Sequence, residues 1–191
     1  MTLLHSYDDV DLMAGHASIG LEILEDCRPD IVLICCGGGG LLAGAAAAIQ
    51  LQLAALGESS SCAVYGVEPE GAATMHESFR RGAAFSLPEA KSVASGLSPP
   101  SAGDLCYAEC LRFVKDILLV SDDELRRATS ILYQAGVVAE PAGAAGFAAL
   151  IHGKVPEEEL RGKQVCVVVT GGNVSTRQMV EVSDAAATTF I

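Results

Sequence analysis

Residues 31–42 read Ile-Val-Leu-Ile-Cys-Cys-Gly-Gly-Gly-Gly-Leu-Leu, and this stretch limits the fold more than any other. Six apolar residues without polar alternation fit a strand covered on both faces. Four glycines then remove every Cβ from the turn, so that backbone N–H groups can crowd around an anion. Residues 43–56 follow as a predicted helix. The free N–H groups of its first turn and the positive end of its dipole favour a phosphate there. Two plainer readings compete with this one. Residues 31–49 are 19 residues without a charge, long enough to cross a membrane, but four adjacent glycines weaken any helix and no Lys or Arg cluster flanks the span. The glycine turn could also serve only to pack a helix on a sheet.

Other elements predicted along the chain are a helix over 11–27, a polar loop over 57–61, a strand over 62–67 and a short helix over 72–81. A long irregular passage over 82–104 is too long for an idle connection and is expected to line something. A helix over 105–113 and a strand over 117–120 come next. Ser121-Asp122-Asp123-Glu124 has capping-box spacing and starts a helix to about Ala135. A small-residue helix over 142–152 and a strand over 164–170, ending in Gly171-Gly172-Asn173, complete the pattern. Strands alternating with helices predict an α/β, three-layer sandwich with a mostly parallel sheet. Ligands of such sheets bind beyond the strands' carboxyl ends, where both glycine clusters lie.

The formal net charge of −12 excludes nucleic acid and anionic membrane surfaces as natural partners, so backbone amides must hold any phosphate. Seven cysteines, an odd number mostly inside apolar runs, point to free thiols in a reducing compartment, cytoplasm or an organelle matrix. The polar start His5-Ser6-Tyr7-Asp8-Asp9 resembles neither a signal segment nor a transit peptide. His5, His16, His76 and His152 fall at no ligand or triad spacing and read as surface or packing residues.

Five ordered motifs carry a family resemblance: Cys36-Gly-Gly-Gly-Gly-Leu-Leu-Ala-Gly44, Gly66-Val-Glu-Pro69, Ala94-Ser-Gly-Leu97, Ala139-Glu-Pro-Ala-Gly143 and Val169-Thr-Gly-Gly-Asn173. Their order is similar to that in the serine/threonine dehydratase and serine racemase family, which uses pyridoxal 5′-phosphate on fold type II. The resemblance implies that Gly37, Gly38, Gly39, Gly40 and the amide of Leu41 hold the cofactor phosphate. Thr170 takes the position facing the pyridine nitrogen, Gly96 lies near the ring, and Glu140 stands at the cofactor's edge. A neutral partner at that nitrogen suits β-elimination better than extensive carbanion chemistry.

The family's Schiff-base lysine and its Ser-Ser-Gly-Asn-His-Gly type carboxylate loop have no counterpart in these 191 residues. Lys91, Lys115, Lys154 and Lys163 stand in other contexts. The chain therefore resembles one incomplete domain, residues 1–191, without the small domain or the lysine segment. Cofactor binding is then expected to be weak or non-covalent, and the isolated chain inactive. The resemblance also implies a divalent cation, Mg²⁺ or Ca²⁺, on Glu68 and the carbonyl of Ala72, although the third ligand position holds Thr74. Half a fold exposes apolar surface, so a homo-oligomer or association with full-length relatives is expected. Alternative readings are a non-catalytic partner that modulates such relatives and, on Gly38-x-Gly40-x-x-Ala43 with Glu68 as ribose ligand, a dinucleotide-binding module.

Overall fold

In the computed structural model, residues 4–58 and 62–188 are described, so Ser59, Ser60 and Ser61 of the predicted polar loop fall outside them. Helix α1 (Val10–Asp26) starts where the Asp9 carboxylate accepts from the N–H groups of Asp11 and Leu12, satisfying donors that lack intrahelical partners. Strand β1 (Ile31–Cys35) is buried throughout. Helix α2 (Gly40–Ala55) begins inside the glycine run, three residues before the predicted start. Strand β2 (Ala63–Pro69) leads through a 3₁₀ turn at Glu70–Ala72 into α3 (Thr74–Arg81). A second 3₁₀ turn, Ser95–Leu97, precedes α4 (Asp104–Phe113), β3 (Asp116–Val120) and α5 (Asp122–Gln134). The capping box at Ser121 and Glu124 is present in both directions. Helices α6 (Ala145–Ile151) and α7 (Glu157–Leu160), strand β4 (Val165–Val167) and helix α8 (Thr176–Thr188) close the chain.

The described strands form one parallel sheet in the order β3-β2-β1-β4. Alternate residues of β1 divide the molecule into three layers. Val32, Ile34 and Cys36 pack with α1, α2 and α4, while Leu33 and Cys35 face the opposite layer, where α6 and α5 lie. Neither face of β1 meets water, which is why its sequence shows no polar alternation. The apolar span 31–49 is thus divided between a strand and a helix, and no helix of the described residues is long and apolar enough to cross a membrane.

Three differences from the sequence-based expectation have local causes. Strand β4 stops at Val167 because the chain bends so that the Thr170 N–H donates to Gly143. The helix predicted from Ala142 starts at Ala145, since the Ala144 N–H reaches back to the Glu140 carbonyl and forms a turn first. Helix α8 has no predicted counterpart, yet Ser175 and Gln178 cap each other's backbone at its start. That Ser-x-x-Gln spacing is the signal that finds it.

Candidate functional site

At the carboxyl end of β1 the chain opens a cavity of about 510 Å³. Gly37, Gly38, Gly39, Gly40, Leu41, Gly96, Glu140 and Thr170 all line it, so residues from four separate motifs converge on one space. Gly39 is the N-cap of α2 with φ +105°, a conformation that side chains disfavour. A Cβ built there would lie 2.6 Å from Met75 Cε and 2.8 Å from Cys106 Cβ. One built on Gly38 would lie 2.2 Å from the Tyr7 ring. The Gly38 carbonyl accepts from the Gly103 N–H at 3.0 Å, which anchors the turn to the start of α4. This is a bare-backbone cradle at a helix N-terminus, and its chemistry suits a phosphate.

The other walls close around the cradle. A Cβ on Gly37 would meet the Gly96 carbonyl and Pro99 at 3.3 Å, so the irregular passage does line the site. Glu140 is held by its N–H donating to the Gly171 carbonyl at 2.9 Å. Its carboxylate sits where a Cβ on Gly171 would intrude, at 2.5 Å. Thr170 Oγ1 lies 3.4 Å from Cys35 Sγ, which fixes the hydroxyl beside the strand that feeds the glycine turn. Burial pushes the Cys35 thiol up and the Cys36 thiol well up, so both stay protonated and act as small apolar walls. All seven cysteines are free thiols.

None of the four lysines lines the cavity. Lys115 pairs with Glu159, Lys154 with Glu124 at 2.8 Å and Lys163 with Asp30 at 2.9 Å, and Lys91 is exposed. The cation site implied at Glu68 and Ala72 finds no support in this geometry. Glu68 has no exposed surface, and its carboxylate accepts from Thr74 Oγ1 at 3.2 Å and from the N–H groups of Met75 and His76 at 2.8 Å. It is spent capping α3. Among the described residues no group of three His, Cys, Asp or Glu could hold a metal ion. The same burial takes Glu68, the possible ribose ligand of the dinucleotide reading, out of reach of a ribose.

A scan of family models matches residues 1–171 to the one described as pyridoxal-phosphate dependent enzyme. The chain belongs to that family. Among its relatives are a catabolic L-threonine dehydratase of Staphylococcus aureus, 38% identical over 176 residues, with 91% of this chain and 49% of the relative covered. A serine racemase of Schizosaccharomyces pombe is 35% identical, covering 91% of this chain and 52% of the relative. Among solved structures, the processed form of threonine deaminase isoform 2 from Solanum lycopersicum superposes with a TM-score of 0.85 at 27% identity, covering 96% of this chain and 52% of that one. The chain spans about half the length of these relatives. Its three layers are those of fold type II pyridoxal-phosphate enzymes, as the resemblance predicts.

For such a cofactor the walls fit: a glycine turn at a helix N-terminus that suits a phosphate, and a neutral hydroxyl at Thr170. Replacing Thr170 by Val keeps the shape and removes the donor. Pyridoxal phosphate should then bind about fivefold more weakly, the loss of one hydrogen bond worth ~1 kcal/mol, with inorganic phosphate unaffected. An absorbance titration of both ligands checks this.

Three lining residues escape the sequence reading. His16, Tyr7 and Ser6 all reach the cavity, although the stretch around Tyr7 reads only as a polar start and His16 as a surface or packing residue. The Asp8 carboxylate ties that stretch down by accepting from the N–H groups of Asp104, Leu105 and Cys106 at 2.9 to 3.2 Å. An acid almost a hundred residues from the helix it caps leaves no local signal.

Proposed function

We propose that this chain is the cofactor-binding half of a pyridoxal-phosphate-dependent dehydratase of hydroxyamino acids such as L-serine or L-threonine, working with a lysine supplied from outside this sequence. The convergence of the tetraglycine turn, Gly96, Glu140 and Thr170 on one cavity carries the reading. The cofactor, when bound, withdraws electrons from a substrate's α-carbon. The chain's own residues divide the remaining work. Amides of residues 37–41 would hold the phosphate, and Thr170, a neutral hydroxyl, would face the ring nitrogen without donating a charge to it. Gly96 would lie near the ring, and a Cβ there would press on Ala142 Cβ at 3.2 Å, another lining residue. Removal of the α-proton needs a base, and no lysine is present in the cavity to perform it.

Addition of pyridoxal phosphate to the chain should therefore give weak, reversible binding. Borohydride should trap no stoichiometric adduct, and neither serine nor threonine should be consumed. A single reduced adduct on Lys91 would overturn the proposal. The partner reading has its own support: in the described sheet β4 pairs only with β1, and an unpaired sheet edge is a template for another strand. Mixing with a full-length relative and measuring co-elution at micromolar concentration tests it, and separate elution would remove it.

A further inference from the structure

The glycine turn alone leaves the charge of a phosphoester poorly balanced. A phosphate monoester carries close to two negative charges at neutral pH, and the protein already carries a formal −12. One helix end contributes about half a positive charge. The cavity lining contains no lysine or arginine, and its one carboxylate, Glu140, adds to the imbalance. A single lining side chain is able to become a cation, and it is His16.

The crossing of α1 over α2 puts His16 in place. A Cβ on Gly20 would lie 2.4 Å from the Ala45 carbonyl oxygen, and one on Gly44 would lie 2.1 Å from the Met13 carbonyl oxygen and 3.0 Å from His16 Cβ. Two glycines thus let the helices touch along their backbones. His16 leaves α1 beside Gly44, one turn into α2 from the glycine-run end that lines the cavity. Its ring is half-buried and makes no hydrogen bond or ion pair among the described residues. Tyr7, the other polar ring on this wall, has its hydroxyl engaged by the Ser101 carbonyl at 3.0 Å and the Ser101 hydroxyl at 3.1 Å. Of these two rings His16 is the uncommitted one.

We propose that His16 is a further phosphate-binding residue of this cavity, its imidazolium supplying the charge that the glycine amides lack. The identity of the phosphoester rests on the cofactor reading, but the anion site itself does not. The whole chain is titrated with inorganic phosphate by calorimetry, and with pyridoxal phosphate and pyridoxal by absorbance, in the wild type, His16→Gln and His16→Arg. Far-UV circular dichroism verifies the fold of each.

His16→Gln should weaken both phosphate ligands about tenfold and leave pyridoxal unchanged, while His16→Arg should retain phosphate affinity. Unchanged phosphate binding in His16→Gln would overturn the assignment and leave the cofactor reading intact. An equal loss for pyridoxal would also overturn it, by revealing a role in shape alone. A tenfold loss for inorganic phosphate, with pyridoxal phosphate binding no better than phosphate, would support His16 and remove the cofactor reading. A wild type that binds no phosphate would overturn both.

Discussion

Gly39→Ala should lose pyridoxal phosphate affinity by about a hundredfold and melt at a lower temperature than the wild type. The backbone at Gly39 holds φ +105°, where an alanine costs roughly 1–3 kcal/mol. Its Cβ would also press on Cys106 Cβ at 2.8 Å, an atom fixed near its own backbone and unable to swing aside. The turn relieves both strains only by rotating its amides out of the cradle, and phosphate affinity goes with them. Gly57→Ala is the control. It has a similar φ, +76°, but no atom of the described residues lies within 4 Å of the added Cβ, so it should cost about 1 kcal/mol of stability and leave cofactor binding untouched. Equal cofactor affinity in the two variants would show that the glycine run is not the phosphate site.

The second large effect concerns pH and the buried acid that caps α3. Burial outweighs the donors around Glu68 and pushes its carboxyl up from 4.5 to about 7. The folded chain therefore keeps that proton through a pH range in which the unfolded chain has released it. From this group, stability falls as pH rises from about 4.5 and levels off above 7, by on the order of 3 kcal/mol in all. Carboxyls of Glu77 and Glu159 are held low by Arg81 and Lys115, and that of Glu124, against the opposing effect of burial, by Lys154 and the Ser121 N–H; these act in the opposite sense, so their stabilisation is lost as pH falls. The difference between wild type and Glu68→Gln isolates the buried acid. Urea unfolding at pH 5, 6, 7 and 8 should give a wild type that loses ground to Glu68→Gln as pH rises, and a constant difference would contradict the account. Glu68→Ala should be worse at every pH, since the Met75 and His76 N–H groups and the Thr74 hydroxyl all lose an acceptor in a dry site, at ~1–3 kcal/mol for each buried group.

How much of this was legible in the sequence follows from how local each interaction is. The β1-glycine-α2 unit reads directly, because a buried strand and a side-chain-free turn are written in consecutive residues. The capping box at Ser121 reads for the same reason, and so do four of the five ordered motifs, whose residues line the cavity. What the sequence does not carry is contact between distant segments. Nothing near Gly38 announces that the Tyr7 ring fills the space of its missing Cβ, or that His16 sits beside α2. Nothing near Glu68 reveals that α3 folds back over it and turns a strand-end acid, open to a cation or a ribose on paper, into a buried cap. The early end of β4 has a similar origin: the residues after Val167 are apolar enough for a strand, but the turn at Gly143 claims the Thr170 N–H.

The central claim is that one pyridine ring spans the distance between the glycine amides and Thr170. A crystal structure of the chain soaked with pyridoxal phosphate measures this most directly. The account predicts phosphate oxygens on N–H groups of residues 37–41 and the ring nitrogen within hydrogen-bond reach of Thr170 Oγ1. Phosphate seated elsewhere, or a ring turned away from Thr170, would contradict it.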